Sequence, residues 1–335
     1  MRKANMSRII RPGHPMSPPI VRNEHIIARF YLNRFADSEQ HVIAYAPGHL
    51  PRRKSTKSLS SERDYFEYTV NGEATLNRYE KWFGKIENDA AAVYNTIHAG
   101  TGLTGAGEVV WAVFVATMFL RSRKVREQIG SELTRMVEAE VYSGGEQLKE
   151  MQCELLRQGV FVYAEDLRAM VERILGEMRD PAFAHLAGIE ENVRTIARNI
   201  LEKGRWFVLE AAPGSVFITS DCPVQTITLN GPGAPITLGN GFRHHNTAIA
   251  FPLSPKKLFL AGPQEIVFKS PVLGAKDVVA FNTATAQFAH RAVYASERNA
   301  EIQALVDRET NKITFGKNAF LATPKEMEID QAHVP

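Results

Sequence analysis

The chain has 335 residues, of which 44% are hydrophobic and 23% are charged, and its formal net charge is +3. These values are typical of a globular protein and exclude a disordered or fibrous chain. The net charge alone does not indicate a nucleic-acid-binding protein, although its basic sign is compatible with that partner. The longest apolar run, Val109 to Leu120, is shorter than the roughly 20 residues of a membrane-spanning helix, so we expect no contact with a membrane.

The number and spacing of the cysteines argue against a fold held together by disulfide bonds or by a structural metal ion. The two cysteines, Cys153 and Cys222, are far apart and have no neighbouring cysteine or histidine at metal-binding spacing. A disulfide framework and a structural zinc site are therefore not expected, and a reducing cytoplasm is the expected location.

The first part of the chain alternates short helical and extended patterns. Residues 24–36 place apolar side chains at helical spacing, which predicts a short amphipathic helix with His25 in its first turn. Residues 41–45 predict a strand that a Pro-Gly turn ends. The basic, serine-rich stretch 52–61 predicts a loop, and residues 62–68 predict a short strand.

The middle of the chain, residues 75–204, has helical periodicity and is expected to form five or six helices. The clearest of them carries an apolar stripe with steps of three and four residues: Leu76, Tyr79, Phe83, Ile86, Ala90, Val93 and Ile97. The next, from Glu108 to about Gly130, is almost wholly apolar in its first half. That composition predicts a helix that crosses the core.

Short strand patterns dominate residues 205–300. The predicted strands are Trp206–Glu210, Val216–Ser220, Val224–Leu229, Ala248–Leu253, Lys257–Ala261 and His290–Ala295. A loop rich in glycine and proline, residues 230–246, and a helix over residues 277–289 interrupt them.

These patterns predict an α+β fold, in which the helical middle packs with a mixed or antiparallel sheet formed mainly by the C-terminal third. A single domain is expected over residues 24–320, followed by a polar tail, residues 321–335. Residues 1–23 are rich in arginine and proline and predict a flexible basic arm. An arm that contacts phosphate or a partner subunit is the alternative interpretation.

Several short motifs carry a family resemblance. They are His25-x5-Tyr31-Leu32-x2-Phe35, Ser61-Glu62-Arg63-Asp64-Tyr65-Phe66, Ile86-Glu87, Phe119-Leu120-Arg121-Ser122, Phe251-Pro252-Leu253-Ser254-Pro255, Asn282 with Arg291-Ala292-Val293-Tyr294 and, most specific, Thr219-Ser220-Asp221-x-Pro223-Val224. Together they resemble a bacterial family catalogued as domain of unknown function 4238, over residues 24–295. The sequence departs from the family pattern at Ala28, Phe66 and Cys222, where the family often has proline, tyrosine and asparagine. The resemblance supplies candidate residues and no reaction.

One histidine and several carboxylates form the candidate site. The expected metal ligands are His25, Glu62, Asp64, Glu87 and Asp221, which are residue types that Mg²⁺ or Mn²⁺ binds. A bound metal of this kind activates water for the hydrolysis of phosphate esters. Asp221 and Glu87 are also candidate catalytic residues, and Arg121 is a candidate anion contact.

Two classes of function follow from these residues. The leading hypothesis is a metal-dependent hydrolase that acts on a phosphate-containing ligand or a nucleic acid. The alternative is a non-enzymatic interaction protein whose polar motifs are structural. In that protein Glu87 and Arg121 form a buried ion pair, and Asp221 satisfies backbone N–H groups before Pro223.

Overall fold

The fold is known from a computed structural model, which describes residues 23–70, 73–74, 78–100, 102–129, 146–178, 181–186, 188–229, 236–238, 241–242, 244, 246–268 and 270–312. The predicted basic arm before Asn23 and the predicted polar tail lie outside the described residues, as does most of the loop 230–246.

Short elements make up the N-terminal part. They are β1 (Asn23–His25), α1 (Arg29–Leu32, extended by a 3₁₀ turn Asn33–Phe35), β2 (His41–Tyr45), β3 (Arg52–Ser55), α2 (Thr56–Leu59), β4 (Ser61–Arg63), β5 (Thr69–Val70) and β6 (Glu73–Ala74).

Two expectations for this part are wrong. His25 lies in a strand and not in the first turn of a helix, because β1 pairs with β4 across 35 intervening residues. The stretch 52–61 is not a loop, because β3 pairs with β2 and α2 follows it directly. In both places, pairing with another strand outweighs the local pattern, and for β1 that strand is distant in sequence.

The helical middle contains α3 (Arg78–His98), α4 (Ala106–Leu120), α5 (residues 123–129), α6 (Glu146–Arg157), α7 (Ala164–Met178), α8 (Pro181–Leu186) and α9 (Ile189–Leu201). The predicted stripe of α3 is largely confirmed: Tyr79, Phe83, Ile86, Ala90 and Ile97 are buried, and Tyr94 is buried where Val93 was expected. Leu76 lies outside the described residues. The helix predicted from Glu108 to Gly130 is interrupted. A tighter turn, in which Ser122 N–H donates to Phe119 O, separates α4 from α5.

The remaining elements are β7 (Arg205–Ala211), β8 (Thr219–Ser220), β9 (Gln225–Leu229), β10 (Ile236–Leu238), β11 (Thr247–Ser254), β12 (Lys257–Gly262), β13 (Val272–Leu273), α10 (Ala275–Phe288), β14 (Val293–Ala295) and α11 (Ala300–Glu309). A six-stranded sheet has the order β10-β9-β11-β12-β7-β13, antiparallel except for the β7–β13 pair. The strand predicted over Val216–Ser220 is shorter, because only its last two residues pair with β14.

Both faces of this sheet are buried. Along β11, Ile249, Phe251 and Leu253 pack into the core shared with α3 and α4, whereas Ala248 and Ala250 face the core that includes α10 residues. This two-residue alternation is the geometry of a strand covered on both sides. The α+β prediction is confirmed, with helices packed on both faces of this sheet.

A second sheet joins distant parts of the chain. Its order is β3-β2-β14-β8, so that two N-terminal strands pair with two C-terminal ones. The separate pair β1–β4 lies next to α3, since His25 bonds to Glu80 on that helix. Among the described residues, no helix is long and apolar enough to cross a membrane.

Candidate functional site

The β1–β4 pair positions the acid-rich motifs of the sequence. Glu24 lies opposite Glu62 in this pair, and His25 lies opposite Ser61. Neighbouring residues of a strand point to opposite sides, which explains why Glu24 is buried while His25 is half-buried.

Glu80 on α3 holds His25 at two points. Its Oε1 lies 2.8 Å from His25 Nδ1, and its Oε2 accepts the backbone N–H of His25 at 3.0 Å. This hydrogen bond raises the pKa of His25 above its ordinary value, against a smaller opposing effect of burial. When His25 is neutral, a proton on Nδ1 faces Glu80 and leaves Nε2 as the basic nitrogen. The imidazole is 36% exposed, so solvent reaches it.

Glu87 and Arg121 form an ion pair beside this contact. Arg121 Nη1 donates to Glu87 Oε1 at 2.5 Å, and Arg121 is fully buried whereas Glu87 is 18% exposed. The guanidinium also lies 5.7 Å from the ring centroid of Phe83. Glu87 raises the pKa of His25 and Arg121 lowers it, so the two pairs interact. We call His25, Glu80, Glu87 and Arg121 the His25 cluster.

Glu24 adds a buried carboxyl group on the other side of β1. Its Oε2 accepts the backbone N–H of Phe66 at 2.5 Å. Burial raises the pKa of Glu24 to about 7, because the bond from Phe66 offsets only part of the desolvation and nearby acids, Glu67 and Glu80 among them, raise it further.

The other two N-terminal acids lie on and just after β4. Glu62 forms an ion pair with Arg123, at the start of α5. Asp64 carries a positive φ of 53° and lies 3.2 Å from Arg63 Nε. Both carboxylates are thus close to arginines.

Asp221 fastens the segment that leads from α10 into β14. Its Oδ1 accepts the N–H of His290 at 2.9 Å, and its Oδ2 accepts the N–H groups of Arg291 at 2.7 Å and Ala292 at 3.2 Å. The backbone N–H of Asp221 donates in turn to Ala292 O at 3.1 Å. Burial raises the pKa of Asp221, and the three bonds from N–H groups oppose that rise. We call this arrangement the Asp221 clamp.

The residue after the clamp is a buried thiol. Cys222 is 2% exposed, and burial raises its pKa to about 12, with Asp221 adding to the rise. Lys124, whose charge lowers the pKa of Cys222, is also buried and donates to Phe288 O at 3.1 Å at the end of α10. These surroundings disfavour the thiolate that a cysteine nucleophile requires.

The expected metal ligands do not fit a single ion. The described part of the chain contains no group of three His, Cys, Asp or Glu side chains that could hold a metal. Glu87 is bound to Arg121, Glu62 to Arg123, and both oxygens of Asp221 to backbone N–H groups. The structure therefore brings His25, Glu87 and Arg121 together, with Glu62 and Asp64 on the neighbouring strand, and places Asp221 in a network of its own.

Sequence reasoning missed two parts of this arrangement. The partner of Glu80, His25, is 55 residues away, and no local pattern connects the two. Glu24 carries no sequence signal beyond its position next to His25. Its burial follows only from the pairing of β1 with β4.

Residues 23–299 match the family model described as protein of unknown function (DUF4238). The chain belongs to this family. No curated protein and no solved structure is significantly similar to the chain. The DUF4238 match covers both the His25 cluster and the Asp221 clamp, so the candidate site lies within the part that defines the family.

Proposed function

We propose that the protein is a hydrolase that acts on a phosphate-containing substrate, with His25 as the general base. The observation that carries the proposal is the contact between His25 Nδ1 and Glu80 Oε1, which holds by its Nδ1 side an imidazole that is 36% exposed. A base within reach of water, oriented by a carboxylate, is the arrangement that general-base catalysis needs.

Each step uses groups in the His25 cluster. His25 Nε2 removes a proton from water, and the resulting hydroxide attacks phosphorus while the ester oxygen leaves and takes up a proton from solvent. Glu80 stabilises the imidazolium that forms, because it already binds Nδ1. Arg121 neutralises Glu87, so that this carboxylate repels an anionic substrate less.

The proposal does not route a step through a metal. The hydrolase expected from the sequence was metal-dependent, with Mg²⁺ or Mn²⁺ held by five side chains. Since that donor set does not fit one ion among the described residues, His25 replaces the metal as the group that activates water.

The pH dependence of hydrolysis tests the assignment. Bis(p-nitrophenyl) phosphate is a suitable probe, and its turnover should rise with pH as His25 loses its proton. His25→Gln should reduce the rate by a factor of about 10² or more. Glu80→Gln should move the rise to lower pH, because the hydrogen bond to Glu80 is the largest cause of the raised pKa.

A matched control variant distinguishes a loss of catalysis from a general effect of replacing a histidine. His49→Gln changes an exposed histidine whose ring Nδ1 bonds to the Pro47 carbonyl, and it should leave the rate unchanged. Equal rates for wild type and His25→Gln, with both proteins folded, would refute the assignment.

A non-enzymatic interaction protein is the second candidate. The Asp221 clamp favours it, because both oxygens of the most family-specific carboxylate are used to hold backbone. Absence of turnover in the wild-type protein across the pH series, for phosphate mono- and diesters alike, would favour this candidate.

A further inference from the structure

A row of cations lies on strand β3 and on helix α2, which precede β4, the strand that pairs with the one carrying His25. Among the described strands, β3 pairs only with β2, so its other edge has no strand partner in that part of the chain. Its residues Arg52, Arg53 and Lys54 are exposed, and so is Lys57 on the helix that follows.

One of these cations is neutralised and three are not. Arg53 binds Asp37 at 2.7 Å and Glu39 at 2.8 Å. Arg52 and Lys54 point to the opposite face of the strand from Arg53, since side chains alternate. Within the described residues, no acidic side chain pairs with Arg52, Lys54 or Lys57. We call these three residues the basic edge.

The basic edge leads towards the His25 cluster. Lys54 lies opposite Val42, whose side chain joins the same core as Ile26 and Ile27, directly after His25. At the other end, Ser61 Oγ donates to Lys57 O at 3.2 Å, and Ser61 is the cross-strand partner of His25. This bond and the β1–β4 pairing connect the backbone of Lys57 to the strand that carries His25.

We propose that the basic edge binds the phosphate backbone of a single nucleic-acid strand and leads it to His25. This inference rests on the proposed function, which it makes specific by naming the substrate class. Arg52 and Lys54 are about 6.7 Å apart along one strand face, so the cations form a repeating row rather than one anion pocket. A half-buried imidazole is reached by one flexible strand more easily than by a rigid duplex.

The salt dependence of binding gives the size of the effect. Three phosphate contacts on single-stranded nucleic acid contribute a slope of about −2 to the plot of log K against log salt. Between 50 and 200 mM salt, that contribution weakens binding by about 16-fold. The triple variant Arg52→Gln/Lys54→Gln/Lys57→Gln should lack this contribution.

Fluorescence anisotropy with a labelled 20-nucleotide single strand, at a series of salt concentrations, measures the slope. The matched control is Lys149→Gln/Arg168→Gln/Lys276→Gln, which removes the same charge from exposed positions on α6, α7 and α10. The control should keep the wild-type slope, and the basic-edge variant should have a slope smaller in magnitude by about 2. Equal slopes for the two variants would overturn the inference, as would competition by polyglutamate as strong as that by unlabelled strand.

Binding of the strand and hydrolysis are measured separately, so the nucleic-acid inference and the hydrolase proposal can be refuted independently. His25→Gln should bind the strand with unchanged affinity. If His25→Gln loses the phosphodiesterase activity while the strand does not bind the wild type, the nucleic-acid inference fails and the general-base assignment stands. Binding that depends on the basic edge in a protein without hydrolytic activity would support the inference and refute the hydrolase.

Discussion

Replacing Glu24 by glutamine tests the buried carboxyl group behind His25. Glutamine has nearly the same shape and keeps an oxygen that accepts the N–H of Phe66, but it never ionises. The variant therefore isolates the free-energy cost of charging Glu24 inside the fold.

The magnitude follows from the pKa of Glu24, which rises from 4.5 to about 7 on folding. Between these values the unfolded chain has released the proton and the folded chain has kept it, so wild-type stability falls as pH rises. A shift of about 2.5 pKa units corresponds to about 3.4 kcal/mol. At pH 4 this contribution is fully present in the wild type, and above pH 7 it is lost.

Urea unfolding at a series of pH values measures the difference. Glu24→Gln should exceed the wild type in unfolding free energy by about 3 kcal/mol more at pH 8 than at pH 4. Glu150→Gln, at an exposed position on α6, should show no such change with pH. A Glu24→Gln difference that is constant from pH 4 to 8 would refute the argument that burial raises this pKa.

Four further outcomes are expected. Asp221→Ala should lower the unfolding free energy by about 3 kcal/mol, since three backbone N–H groups lose their acceptor, and a loss under about 1 kcal/mol in urea would contradict the clamp. Glu87→Gln should cost about 3 kcal/mol because it leaves Arg121 buried without a counter-charge, and Glu87→Leu/Arg121→Met should recover most of that loss; no recovery would argue against an ion pair. Iodoacetamide should modify Cys153 in the folded protein and Cys222 only in urea, as counted by mass spectrometry; two modified thiols in the folded protein would contradict the burial of Cys222. Mg²⁺ or Mn²⁺ should leave the Tm unchanged, and a saturating rise would mean that acids of the chain do bind an ion.

The sequence predicts the fold class because the spacing of apolar residues within each segment distinguishes helices from strands. The apolar stripe of α3 and the short strands after Gly204 are local features, and they survive folding largely unchanged. The stretch 24–36 fails for the opposite reason. Its apolar spacing fits a helix, but pairing with β4 makes its first residues extended.

The sequence predicts the residue types of the candidate site, but not which groups those residues bind. His25, Glu87 and Arg121 were expected to meet, and they lie in one cluster. Asp221 was expected to join them as a ligand, but no local signal reveals that its two oxygens face the backbone of residues 290–292. A carboxylate before a proline fits a ligand and a clamp equally well in sequence, and only the tertiary position of β14 decides between them.

The Asp221 clamp and the His25 cluster differ in which polar atoms are not used to hold the fold. In the Asp221 clamp, both carboxylate oxygens of Asp221 accept backbone N–H groups, so this carboxylate is used to hold the fold. In the His25 cluster, Glu80 and Arg121 are each bound to a partner, but within the described residues no hydrogen bond involves His25 Nε2. Stability alone does not account for the buried ion pair beneath it, because a hydrophobic pair of similar volume packs helices as well or better. On the proposed function, Arg121 neutralises Glu87 beside His25, so Glu87→Leu/Arg121→Met, which removes both charges, should recover both stability and activity.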